Sequence, residues 1–93
     1  MVYVDWLCRH GWVMRGKTIM SCHLYADTEL ELHKFALSIG LKRTWFQKKR
    51  NLPHYDLTPN KRKQAVDKGA HELTKEEFKQ IYYKYRGVNE QNK

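Results

Sequence analysis

Three helix starts are written into this chain, and they constrain its fold more than any other feature. Thr28-Glu29-Leu30-Glu31 and Thr74-Lys75-Glu76-Glu77 are capping boxes. In each, the threonine hydroxyl can accept from the amide three residues on, while the glutamate carboxylate reaches back to the threonine amide. Thr58-Pro59 is the third start, because proline's missing N–H and fixed φ cost nothing at the first helical position and Thr58 can cap. Gly40, Gly69 and Gly87 stand where each helix should end. The first helix carries Leu32, Phe35, Ala36 and Ile39 at helical spacing, and the third carries Phe78, Ile81, Tyr82 and Tyr85. Tyr83 lies off that stripe and marks a possible subunit contact.

Between the helices the pattern turns to strands. Residues 2–6 place Val2, Val4 and Trp6 on one face, and residues 19–25 are their expected partner. The interval holding Gly11, Arg15, Gly16 and Lys17 then reads as a long hairpin loop with Trp12 and Met14 at its tip. Residues 45–47, 54–57 and 70–73 are further short strands, and the second helix is expected over 59–68. The expectation is a small α/β fold: short strands alternating with three helices, a β-hairpin followed by βα units. Residues 1–87 make a single domain and 88–93 a polar C-terminal tail.

Two cysteines, Cys8 and Cys22, are too few for a disulfide scaffold, and buried free thiols in a reducing cytosol are expected. Cys8, His10, Cys22 and His23 form a superficially ligand-like set. Zinc is not expected there, since no spacing presents two ligands on one helical turn. No apolar run reaches the roughly 18 residues of a membrane span, so a cytoplasmic protein with no membrane partner is expected.

Charge is concentrated in the middle of the chain. Residues 41–68 hold nine Lys/Arg against Asp56 and Asp67, whereas the net charge of the whole chain is +8. Trp45, Phe46, His54 and Tyr55 are interleaved with those cations, offering a polyanion both neutralisation and flat surfaces for stacking. Lys61 and Arg62 fall in the first turn of the second helix, where N-terminal amides already favour an anion. A surface that merely keeps the protein soluble would mix its signs.

Several polar residues are candidates for chemistry. Asp5, Asp27 and Asp56, with His54, fall at or after strand ends, where α/β sheets gather their ligands. Three such carboxylates could hold Mg²⁺ or Mn²⁺, with His23 or His54 as general base. Each also has a structural reading: Asp27 at a helix start, Asp56 paired with Lys61 or Arg62. His23 shares a strand face with Ser21 and Tyr25, a polar set odd for an apolar core, whereas His33 reads as a ring hydrogen-bonded at a core edge. Trp45 and Tyr55 are either core aromatics or stacking platforms.

The segments YVD, SCHLYADTELELHKFALSIGL, WFQ, HYDLTPNKRKQAV and GAHEL, in that order, resemble an uncharacterised family of small phage and bacterial proteins, domain of unknown function four-zero-three-one. The resemblance runs from about residue 2 to residue 73 and leaves the third helix outside. It implies a phage or bacterial cytoplasmic setting and supplies no activity. Its pattern maps onto Asp5, His23, Asp27, His33, Trp45, Gln47, His54, Tyr55, Asp56, Lys61 and Arg62. The basic insert at Lys48, Lys49 and Arg50 departs from it.

The leading expectation is a phage-type accessory protein, not an enzyme and needing no cofactor, that binds a nucleotide or nucleic acid in a basic, aromatic-lined cleft. Its binding set would be His23, Asp27, Trp45, Gln47, His54, Tyr55, Lys61 and Arg62. The alternatives are a metal-dependent phosphoesterase or nuclease built on Asp5, Asp27 and Asp56, and an inhibitor module whose basic face docks on a host protein.

Overall fold

A computed structural model describes residues 1–48 and 52–91, with side chains through residue 84. In chain order the elements are β1 (Val2–Val4), β2 (Cys8–Met14), β3 (Lys17–Ala26), α1 (Glu29–Ser38), a 3-10 turn (Arg43–Trp45), β4 (Tyr55–Leu57), α2 (Pro59–Asp67), β5 (His71–Glu72) and α3 (Lys75–Gln91). Among the described residues this is the expected small α/β fold, with five strands in one mixed sheet and three α-helices.

The sheet is organised around β3. Its first half pairs antiparallel with β2, and its second half lies between β1 and β4, both antiparallel to it. β5 adds in parallel beyond β1, extended by the Leu73 amide donating to the Val4 carbonyl at 2.8 Å. Alternation along β3 sends Cys22 and Leu24 into a core shared with Leu32 and Ala36 of α1, Ile39 at its C-cap and Ala65 of α2. Burial pushes the Cys22 thiol up to about 12, so it is an inert core residue, and both cysteines are free. The opposite face carries Tyr25, which packs with Leu52, Leu73 and the Phe78, Ile81 and Tyr82 stripe of α3. Helices therefore cover both faces of the sheet. None of the described helices is long and apolar enough to cross a membrane.

The caps behave as their chemistry dictates, with one difference. Thr74 and Glu77 close both halves of their box, at 3.1 and 3.0 Å. Thr28 accepts from the Glu31 amide at 3.2 Å, but the Glu31 carboxylate takes the Met1 ammonium instead of the Thr28 amide. A cation is the stronger partner for a carboxylate. Gly40 ends α1 with φ +82° as expected. Gly87 does not end α3, which runs on to Gln91. A glycine inside a helix costs only about 1 kcal/mol against alanine, so it stops nothing by itself. The side chain of Tyr85 and the insert residues Lys49 and Arg50 lie outside the described residues.

Two further sequence expectations fail. The interval expected as a long loop is strand β2, closed onto β3 by a two-residue turn at Arg15 (φ +52°) and Gly16 (φ +78°). Both left-handed residues give the tight turn that matches strand twist. The strand leaves no signal in the sequence because its residues are mostly exposed and so carry no apolar alternation. Residues 45–47 form no strand either. They end a 3-10 turn, and Gln47 makes a single antiparallel bridge to His54.

Burial separates core from surface sharply enough to test. Leu24→Ala, at a fully buried position, should cost about 2–5 kcal/mol in urea unfolding, from lost transfer energy and a residual cavity. Leu37→Ala, 58% exposed on α1, should change stability by no more than about 0.5 kcal/mol. Equal losses would contradict this assignment of the core face.

Candidate functional site

The register of β3 against its two neighbours builds a polar cluster on the face covered by α3. His23 is paired with Asp56 of β4, and paired residues project to the same side of a sheet. His54, two residues before Asp56 in an extended segment, joins that side, and its bridge partner Gln47 follows. On the other edge of β3, Asp5 continues the line of β1 and its amide donates to the His23 carbonyl at 3.2 Å. Five residues from four chain segments thus meet on one surface.

Each member of the cluster is held by a specific partner. The Asp5 carboxylate, buried at 6% exposure, accepts from the His23 amide at 2.6 Å, the His23 ring Nδ1 at 2.8 Å and the Tyr25 hydroxyl at 3.3 Å. Three donors offset the cost of taking that carboxylate out of water. His54, also 6% exposed, points Nδ1 at the Leu52 carbonyl, 2.7 Å away. A carbonyl and a carboxylate only accept, so Nδ1 carries the proton in both rings and each neutral ring presents Nε2 as a lone pair. Both Nε2 atoms lie 3.6 Å from Asp56 Oδ1. Gln47 fixes the other Asp56 oxygen by donating from Nε2 at 2.5 Å.

That distance of 3.6 Å is too long for a hydrogen bond. It suits an ion instead. Ligands placed about 2.0–2.1 Å from a tetrahedral centre stand roughly 3.3–3.4 Å apart. The donor atoms of His23, His54 and Asp56 all fall within 4.8 Å of one another. Beyond them lies the outer shell that metal-binding histidines ordinarily have: a carboxylate on one ring, a backbone carbonyl on the other, and an amide on the ligating acid. His10 of β2 adds a further ring, its centroid 4.9 Å from that of His23.

Not every residue singled out in the sequence is here. His23, Gln47 and His54 converge, together with Asp5 and Asp56. Asp27 does not: it accepts from the Met1 ammonium at 2.9 Å and the Tyr3 hydroxyl at 2.8 Å, and these hold its carboxyl below the usual carboxylate range. The acidic trio of Asp5, Asp27 and Asp56 is therefore not assembled, since Asp5 serves His23 and Asp27 stands apart. Tyr55 is fully buried on the core face, its hydroxyl 2.9 Å from His33 Nδ1, so it offers no stacking surface. Burial, with Arg43 nearby, lowers the His33 pKa, as suits a ring at a core edge.

The two helix cations are spent on the fold. Lys61 donates to the Ile39 carbonyl at 2.6 Å, capping the end of α1. Arg62 donates from Nε to the Asp5 carbonyl and from Nη1 to Glu72, each at 2.9 Å. Trp45 is 49% exposed with the Lys42 ammonium 5.7 Å from its ring. A cavity of about 690 Å³ opens beside Asp27, lined by Tyr3, Leu32 and Ile81 among others. It shares Tyr25 and Leu52 with the surroundings of the cluster, but His23, His54 and Asp56 do not line it.

A search for two ligands on one helical turn does not see this site. The signal that would is strand spacing: His54-x-Asp56 puts two donors on one face at period two, opposite a strand whose polar face holds His23.

The chain belongs to the family described as protein of unknown function (DUF4031), which matches residues 2–84. That span takes in most of α3, beyond residue 73 where the sequence resemblance stops. No curated protein and no solved structure matches the chain.

The Asp5–His23 pair makes stability depend on pH. The hydrogen bond to Asp5 raises the His23 pKa above its ordinary 6.5, against an opposing push from burial. A raised folded-state pKa means the pair's contribution is complete below the unfolded value and is lost as pH rises through the folded one. The metal-free protein should therefore lose urea resistance from about pH 6.5 upward relative to Asp5→Asn. A pH-independent difference between the two proteins would show that the pair is not coupled as drawn.

Proposed function

We propose that this protein is a metal-dependent phosphoesterase whose single divalent ion is held by His23, His54 and Asp56. The observation that carries the reading is the convergence of two lone-pair nitrogens and one carboxylate oxygen, each oriented by its own hydrogen bond, with both nitrogens 3.6 Å from that oxygen and all three donors within 4.8 Å of one another. Two imidazoles and one carboxylate suit zinc and related first-row ions better than Mg²⁺, which prefers oxygen donors. Three protein donors with the fourth position open is the arrangement of catalytic sites.

When bound, such an ion would polarise a phosphoryl oxygen and acidify water for attack. The chain's own residues do the rest. Asp5 and the Leu52 carbonyl keep both rings in the tautomer that can coordinate, and Gln47 holds Asp56 in register. A phosphate ester fits the charge of the molecule, since a net +8 raises the local concentration of anions. A second reading, a non-catalytic binder of nucleotide or nucleic acid, is favoured by the exposed Trp45 beside Lys42 in the basic segment.

Zinc and manganese titrations, followed by turnover of a chromogenic phosphodiester, test the choice. Stoichiometric uptake is expected, with His54→Ala abolishing both uptake and turnover. Asp5→Asn should weaken metal affinity by about 10–100-fold while the fold persists, because it loosens the tautomer and orientation of His23. Salt-sensitive binding of nucleotides with no metal uptake would instead establish the second reading.

A further inference from the structure

β2 and β3 are not in simple register where they pass the cluster. Arg9 faces Met20 and Val13 faces Thr18, so residues 10–12 of β2 stand opposite Ile19 alone. This is a β-bulge with two extra residues, and bulges re-aim side chains next to functional sites. Gly11 sits inside it at φ +80°, a conformation that side chains rarely adopt. Nothing lies within 4 Å of where its Cβ would be, so the glycine is required by the backbone conformation and not by packing.

The bulge places His10 against the His23 ring, beside but not within the group of three donors that lie within 4.8 Å of one another. Its ring lies edge-on to His23, with centroids 4.9 Å apart and planes inclined by 60°. His10 is exposed and its ring nitrogens have no hydrogen-bond partner among the described residues. The other rings of the cluster are committed through Nδ1; this one is uncommitted, on a segment whose regular pairing with β3 is interrupted.

From these observations we infer that His10 is a fourth, exchangeable ligand to the ion. This rests on the metal centre proposed above and adds its regulation. With His10 engaged, four protein donors would complete a tetrahedron and close the site. With His10 swung away on the bulge, the fourth position would open to a phosphoryl oxygen or water. The ribbon of β2 and β3 would thus set whether the ion is stored or available.

Cobalt(II) is the probe, since its visible bands report the number and kind of donors around it. His10→Ala should weaken Co²⁺ affinity by about tenfold or more and shift the bands, as a nitrogen donor is replaced by water. Both must move; if either stays at its wild-type value the inference is overturned. Gly11→Val, whose β-branched side chain is refused at φ +80°, keeps the imidazole but disturbs the bulge, and should give the same loss. Wild-type affinity in that variant would overturn the role assigned to the bulge. Failure of the wild-type protein to take up Co²⁺ would bring down the metal centre itself, whereas normal uptake with an unaffected His10→Ala protein removes this inference alone.

Discussion

The carboxylate of Asp5 is the contact on which the rest of the site depends. β1 ends at Val4, and at Asp5 the chain leaves the regular ladder with β3. The side chain then supplies what the backbone no longer does, accepting from the His23 amide while also holding the His23 ring. Its own carbonyl is released from the sheet and taken by Arg62 of α2. One residue therefore ties the end of an interior strand, a helix on the far face and the orientation of the His23 ring. Because it is buried, the arrangement holds only while all its donors are in place: removing one leaves polar atoms with no water to replace it.

The basic segment shows how the same charges read differently in sequence and in three dimensions. Lys61 and Arg62 are at a helix N-terminus, which by dipole alone favours an anion. Both instead reach backbone carbonyls: the end of α1 for Lys61 and the distorted end of β1 for Arg62. Carbonyls left unpaired at helix ends and strand breaks are strong acceptors, and a long cationic side chain can reach them while its stem packs on apolar surface. Such pairing leaves the Lys61 charge in place, since a carbonyl carries no net charge, whereas Arg62 also forms an ion pair with Glu72 at 2.9 Å. The whole chain still carries a net charge of +8, although these two side chains are structural.

Local chemistry was legible wherever a residue's role is decided by its immediate neighbours along the chain. The hydroxyl caps at Thr28, Thr58 and Thr74, the left-handed Gly40 and the core stripe of α1 were all readable, because capping and helical periodicity act within a few residues. The polar face of β3 was readable too, since alternation puts Ser21, His23 and Tyr25 together whatever they meet. Strand β2 was not. A ribbon exposed on both faces has no reason to alternate, and only its pairing with β3 makes it a strand. The family resemblance brought Asp5, His23, Gln47, His54 and Asp56 into view among other polar residues, without saying which of them touch.

The sequence by itself determined a small α/β chain with three capped helices, a strongly positive middle third, and a strand whose polar face includes His23. Tertiary structure alone decided that His23 meets His54 and Asp56, that Asp5 pairs with the His23 ring, and that Asp27 and Tyr55 lie apart from them. The physical reason is range. Caps, turns and periodicity are fixed by interactions a few residues apart. The cluster is set by the register of strands whose residues lie some thirty positions apart, and a slip of one residue in that register would send Asp56 to the opposite face.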